Sequence, residues 1–166
     1  MTVTTTSIPQ SPQRVREYWG DRPMGEVRVK ARFTNVVDAA LARRGQLPAD
    51  QVRAYEADAV VDTGAVRTVL PRHVAELLDL EFTGERVAQY ADGRTETVPV
   101  TDAVRVELLG RDTVEECLVL GDEILIGQTV LEKTDLLVDC ANARLVPNPE
   151  HPDQPVSKIR RFTRST

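Results

Sequence analysis

Polar and apolar residues alternate along several short stretches of this chain, which predicts a β-rich fold. A period of two is the pattern of a strand with one buried and one wet face. The clearest case is Glu26 to Phe33, where eight residues alternate without a break. A continuous apolar run, Cys117 to Leu120, ends the last stretch and is typical of a more buried strand. The predicted strands span 26–33, 85–90, 95–100, 104–108 and 113–120.

A hairpin and a few short helices complete the predicted elements. Asp92-Gly93 separates the second and third strands and favours a tight turn, because both positions tolerate positive φ. Pro71 suits the first position of a two-turn helix with an apolar face, and Gln128 to Lys133 form a second helix. Residues 37–52 are interpreted as an insertion of two helical turns, the first ended by Gly45.

The ends of the chain differ in composition from its middle. Residues 1–23 are rich in Thr, Ser, Pro and Gln, and residues 148–166 contain three prolines and few apolar side chains. We expect both segments to be flexible, with a single folded domain over 24–147. No internal repeat is present, so every motif occurs once.

Charge and composition exclude several classes of protein. Residues 25–147 hold 14 basic and 22 acidic residues, a net charge of −8, which argues against nucleic acid as a partner and favours attraction of basic peptides. The basic residues near the C-terminus are expected to be solvated. No apolar run exceeds four residues, and the first twenty residues lack the features of a secretory signal. We therefore expect no membrane span and a cytoplasmic location. With only two cysteines, which are far apart in sequence, we also expect reduced thiols.

The sharpest motif is Asp62-Thr63-Gly64, which directly follows the apolar run Ala59-Val60-Val61. A shuffled chain of this composition would contain the tripeptide roughly 0.07 times, and roughly 0.005 times after three apolar residues. One interpretation is a turn that closes a strand, where Asp, Thr and Gly are all common for local reasons. The other is a carboxylate that the strand presents for chemistry.

In its order of motifs, the chain resembles the retropepsin-like (clan AA) aspartic proteases. Asp62-Thr63-Gly64-Ala65, with Thr68 and Val69-Leu70 after it, matches the signature of that family. Leu125-Ile126-Gly127, followed by a short helix, is similar to its second element. Tyr90-Ala91-Asp92-Gly93 lies where the family has its flap. The resemblance implies an all-β closed barrel with one or two short helices and one lobe per chain, and the insertion at 35–54 resembles the bacterial and archaeal branch.

The resemblance also implies a reaction and a partner. Aspartic proteases hydrolyse peptides with two carboxylates that share a proton, so that one activates water while the other polarises the carbonyl. Because the chain contains a single Asp-Thr-Gly motif, a complete pair requires Asp62 from each subunit of a two-fold homodimer. Thr63 would then brace the site, Gly64 and Ala65 would support it, and the flap from Tyr90 to Gly93 would cover an extended peptide. No cofactor and no metal are implied.

Several alternatives stay open at this point. The same cleft could bind peptides without cleaving them, or the subunit could pair with a different single-domain partner. Tyr90 either packs over the cleft or makes a cross-strand contact. His73 is expected either at the surface or in packing, and Cys117 and Cys140 are expected as core or interface thiols rather than zinc ligands. The pair Glu115-Glu116 is interpreted as a turn or a solvated edge.

Overall fold

A computed structural model describes residues 25–159 of the chain. Nine strands are assigned in this part: β1 (Val27–Asn35), β2 (Ala54–Val61), β3 (Val69–Leu70), β4 (Phe82–Gln89), β5 (Thr95–Leu108), β6 (Arg111–Val119), β7 (Leu125–Ile126), β8 (Leu136–Asp139) and β9 (Arg144–Pro147). Three short helices accompany them: α1 (Val36–Arg43), α2 (Arg72–Leu77) and α3 (Gln128–Thr134). A 3₁₀ turn at Ala49–Gln51 completes the predicted insertion. The predicted segment 1–23 lies outside the described residues, and its flexibility stays a prediction.

Seven strands form one sheet that closes on itself. The order is β1-β2-β7-β3-β6-β5-β4, and β1 also pairs with β5, so that six strands make a ring and β4 lies outside it. The residues that fill the ring come from the alternating strands, since every second side chain of a strand points to the same face. Phe33, Leu70, Leu108 and Ile126 are fully buried there. The all-β closed fold predicted from the sequence is confirmed.

The long strand β5 connects the barrel to a projecting hairpin. Its second half, Val104 to Leu108, pairs with β1 and β6, whereas its first half, Thr95 to Thr101, pairs with β4. The register of β5 on β6 shifts between Val100 and Ala103, and a shift of this kind bends a strand. The two strands predicted at 95–100 and 104–108 are therefore one bent strand. Only Ala88 of β4 is partly buried, because this hairpin leaves the barrel surface.

The two cysteines occupy contrasting environments. Cys117 is buried and Cys140 is exposed, and both are free thiols.

Residues 148–156 fold back toward the end of α3, where the buried Arg111 donates hydrogen bonds to the carbonyls of Thr134 and His151. The predicted flexibility of 148–166 stays a prediction, and residues 160–166 lie outside the described part. None of the helices in the described part has the length and apolarity to cross a bilayer.

Candidate active site

Asp62 lies at the carboxyl end of β2, in the centre of the sheet. The last two residues of β2, Val60 and Val61, pair in parallel with Leu125 and Ile126 of β7. The backbone N–H of Asp62 continues this ladder by donating to the carbonyl of Ile126 at 3.0 Å. The sheet therefore fixes the main chain of Asp62 and leaves its side chain half-buried at the surface of the barrel.

The chain turns sharply directly after this aspartate. The N–H of Gly64 donates to Asp62 Oδ1 at 2.9 Å, and the N–H of Ala65 donates to the Asp62 carbonyl at 3.2 Å. Among residues 25–159, no group donates a hydrogen bond to Asp62 Oδ2. The local turn that one interpretation predicts is therefore present. It also leaves one carboxylate oxygen available for another group.

A close crossing of two chain segments supports the loop of residues 62–68, called the Asp62 loop below. Because β7 lies between β2 and β3, the loop must pass over the start of α3 to reach β3. A side chain at Gly127 would place its Cβ 2.4 Å from the carbonyl carbon of Arg67, so only glycine fits. The N–H of Gly127 donates to Thr68 Oγ1 at 3.2 Å. Ile126 and Gly127 thus lie beneath the loop and hold it on the sheet.

Glu115 of β6 is a second support that sequence reasoning missed. Its side chain is 7% exposed, and its carboxylate accepts hydrogen bonds from the Thr68 N–H at 3.2 Å and from the Thr129 hydroxyl at 2.6 Å. Lys133 Nζ lies 3.9 Å away. The interpretation of Glu115 as a turn or solvated edge is wrong. The sequence pattern could have shown this, because a period of two places Glu115 on the same strand face as the buried Cys117.

A cleft of about 590 Å³ separates the Asp62 loop from the hairpin of β4 and β5. Predicted site residues meet across it: Asp62, Gly64 and Ala65 line one side, and Tyr90 and Ala91 line the other. Asp92 and Gly93 form the turn of the hairpin and do not line the cleft. The structure thus brings together five of the predicted residues around one cavity.

The tip of the hairpin is held by its own polar contacts. The Tyr90 hydroxyl donates to Glu96 at 2.6 Å on the opposite strand, so that Tyr90 both lines the cleft and makes a cross-strand contact. This hydrogen bond raises the pKa of Tyr90. Asp92 accepts from the Arg94 N–H at 3.0 Å and from its guanidinium at 2.6 Å, which lowers the pKa of Asp92. Of the turn dipeptide, only Gly93 adopts positive φ, at +85°.

Thr63 lies on a different side of the loop. It is exposed and lines a second cavity of about 690 Å³, which α3, β8 and residues 156–158 also line. Two apolar side chains of that cavity are notably accessible, Leu137 at 46% and Val156 at 39%. The structure therefore separates Thr63 from the cleft that Asp62 lines.

The chemistry that these side chains can perform depends on a carboxylate. In the region from 25 to 159, no three His, Cys, Asp or Glu side chains come close enough to hold a metal ion. His73 is exposed on α2, the first of the two alternatives expected for it. Among residues 25–159, Asp62 is the only carboxylate that lines the cleft of the Asp62 loop. A second acidic group at this position would have to come from outside these residues.

Comparison with known proteins identifies one family. The family model described as "gag-polyprotein putative aspartyl protease" matches residues 51–133, half of the chain's 166 residues. The matched region includes β2, the Asp62 loop, the hairpin of β4 and β5, and most of α3. Among curated proteins, none matches the chain significantly.

Proposed function

Because the chain belongs to the retropepsin-like family of gag-polyprotein aspartyl proteases, we propose that it is an aspartic endopeptidase. One observation carries the proposal: a half-buried carboxylate, fixed at the end of a central strand, faces a cleft with a hairpin on its far side. A surface turn made of the same residues would need no cleft and no underlying supports. The position of Asp62 therefore favours catalysis over a purely local role.

The proposed reaction needs two copies of Asp62. Two carboxylates about 3 Å apart cannot both ionise cheaply, so they hold one proton between them and titrate as a pair. The ionised partner takes a proton from water, which attacks the peptide carbonyl while the protonated partner donates a hydrogen bond to the carbonyl oxygen. The proton then passes to the leaving nitrogen. Asp62 Oδ1 is oriented by Gly64, which leaves Oδ2 for these steps.

We propose that the second carboxylate comes from an identical subunit across a two-fold axis. A site with one Asp per chain is incomplete without a partner, and a two-fold interface brings the same patch together from both copies. The cavity beside Thr63 supports this arrangement, because it exposes Leu137 and Val156 next to the Asp62 loop. An interface there would cover apolar surface and place two Asp62 loops side by side.

Replacement of Asp62 tests the proposal directly. Asp62→Asn retains the size of the side chain but cannot act as a base, so peptide cleavage should fall about 10³-fold or more. A peptide library assayed from acidic to neutral pH, with and without a statine-type inhibitor, measures the loss. Asp58→Asn on the same strand is the matched control, because Asp58 is exposed and outside the cleft.

Sedimentation at several concentrations tests the dimer separately. Activity should rise with the dimer fraction, and Asp62→Asn should dimerise like the wild type. Cleavage by a strictly monomeric protein, or full turnover by Asp62→Asn, would refute the proposed mechanism. Peptide binding by the wild type without any cleavage would instead support a non-catalytic binding module.

A further inference from the structure

The cleft above Asp62 combines an apolar wall with two arginines. Its apolar residues come from the Asp62 loop, the barrel and the hairpin: Val66, Val69, Val87, Leu118, Leu120 and Leu125. Arg67 follows Asp62 on the loop, and Arg86 projects from β4 on the hairpin side. Apart from Asp62, no acidic side chain of the described part of the chain lines the cleft.

Of the two arginines, Arg86 is the one that forms no ion pair within residues 25–159. Its Nη1 donates to the carbonyl of Glu85 at 2.8 Å, and no carboxylate of residues 25–159 forms an ion pair with it. A guanidinium carries five donors, so most of its hydrogen-bonding capacity is left for a ligand. The strand that carries it is exposed along nearly its whole length.

Arg67 has one acidic partner, and the contact is loose. Its Nη1 lies 3.3 Å from Glu116 Oε2, and the two side chains are 40% and 48% exposed. Ion pairs between exposed side chains are weak and readily exchange partners. Arg67 can therefore turn toward a ligand carboxylate in the cleft at little cost.

Two acidic groups at the tip of the hairpin are already engaged, and Glu85, which is exposed on β4, does not line the cleft. Glu96 accepts the hydrogen bond of the Tyr90 hydroxyl, and Asp92 pairs with Arg94 at the turn. At physiological ionic strength, charges beyond about 8 Å are largely screened. The local arginines thus outweigh the net charge of −8 on residues 25–147 for a peptide that lies in the cleft.

From this lining we infer the substrate class of the proposed peptidase. The cleft selects an extended peptide that places an apolar side chain next to a glutamate or aspartate. The apolar side chain packs on the valine and leucine wall, and the neighbouring carboxylate pairs with Arg86. This inference rests on the proposed function, in that the peptide lies in the cleft of Asp62. In a two-fold dimer the second copy adds the same two arginines, so acidic residues are accepted on both sides of the scissile bond.

The experiment separates binding from cleavage by the use of Asp62→Asn protein. Fluorescent peptides of one apolar sequence carry Glu, Gln or Lys at each position in turn, and their affinity is measured at low and high salt. We expect the affinity to decrease in the order Glu, Gln, Lys at one or more peptide positions. The affinity for the Glu peptide should exceed that for the Gln peptide about fivefold, and this preference should fade as the salt concentration rises. The same peptides are then offered to the wild type, and kcat/KM is measured.

Charge substitutions assign the preference to the cleft. Arg86→Gln should remove the preference for Glu over Gln, and Arg86→Glu should reverse it toward Lys. Arg32→Gln is the matched control, because it removes one positive charge from an exposed side chain outside the cleft.

The outcomes distinguish this inference from the proposed function. Equal affinity for Glu and Lys peptides, or an equal effect of Arg32→Gln, would overturn the inference even if cleavage is observed. Binding with a preference for Glu that depends on Arg86, in a protein that cleaves nothing, would uphold the inference and refute the proposed activity.

Discussion

Glu115 shows how much of the candidate site depends on a residue that is not part of a motif. Its carboxylate accepts hydrogen bonds from the Asp62 loop and from α3, through the Thr68 N–H and the Thr129 hydroxyl. The backbone N–H of Thr129 also donates to the carbonyl of Val66 at 3.1 Å. A buried carboxylate with two donors and a nearby lysine is well satisfied, so it acts as a rigid brace rather than a source of strain.

Removal of this charge should loosen the Asp62 loop. Glu115→Gln removes the negative charge and one acceptor oxygen, so charge-assisted hydrogen bonds at this position are replaced by weaker neutral ones. We expect a decrease of about 1–3 kcal/mol in the free energy of unfolding, measured by urea denaturation. We also expect kcat to fall more than KM changes, because the loop positions Asp62.

Glu116→Gln is the control for this change. Glu116 is the next residue but is 48% exposed, so its substitution should alter the free energy of unfolding by less than about 0.5 kcal/mol. If the two variants unfold alike, Glu115 is not a brace for the loop.

At the scale of elements, the hairpin of β4 and β5 packs less than the barrel does, although Val98 and Val100 of β5 are buried. It shares β5 with the barrel but lies beyond the register shift, and nearly all of β4 is exposed. Its tip depends on a turn in which the N–H of Gly93 donates to the carbonyl of Tyr90 at 2.9 Å. Few packing contacts and a defined turn are the properties expected of a cover that opens and closes.

A substitution at the turn should affect the cover without affecting the barrel. Gly93→Ala places a side chain at φ +85°, which costs roughly 1 kcal/mol although nothing obstructs the Cβ. We expect faster hydrogen exchange in residues 90–94 and a several-fold lower kcat/KM.

Gly45→Ala provides the comparison for the same backbone strain. Gly45 has φ +70°, also with open space around it, and it lies in the insertion away from the cleft. Its replacement should lower Tm similarly but leave kcat/KM unchanged. A similar loss of activity in both variants would show that the hairpin turn has no special role.

At the scale of the whole molecule, residues 148–156 are bound to the barrel through Asp135. This residue follows α3 in the left-handed conformation, and its side chain is 13% exposed. Its carboxylate accepts from Asn148 Nδ2 at 2.9 Å and from the Val156 N–H at 3.1 Å, with His151 Nδ1 at 2.7 Å. These contacts hold residues 148–156 beside the cavity that Thr63 lines.

The same contacts predict how this attachment depends on pH. The hydrogen bond from Asn148, followed by those from Val156 and His151, lowers the pKa of Asp135. A carboxylate whose folded pKa is lowered contributes stability above its unfolded pKa of about 3.9 and loses it as the pH falls through the folded value. The destabilisation by Asp135→Asn should therefore be constant above about pH 5 and shrink below about pH 4.

Urea denaturation between neutral and acidic pH measures this difference. Asp153→Asn in the same segment is the control, because Asp153 is exposed and its replacement should have little effect at any pH. A destabilisation by Asp135→Asn that is independent of pH would contradict the role of the charged carboxylate.

The sequence by itself determined several of the strands, the short helices and the position of Asp62. Alternation predicted β1 and most of β6, and Pro71 and Gly127 marked the starts of α2 and α3. These features follow from local periodicity and backbone preference, which residues close in sequence carry. The motif around Asp62 also indicated the family, which the match to residues 51–133 shows.

Only the tertiary structure decided which side chains meet. The insertion of β7 between β2 and β3 places Gly127 under Arg67, and the pairing of β6 with β3 brings Glu115 to Thr68. Contacts between residues 47 or more positions apart depend on strand order and register, which no local pattern contains. For the same reason, the net charge of the chain indicated a basic peptide, whereas the cleft itself carries Arg86.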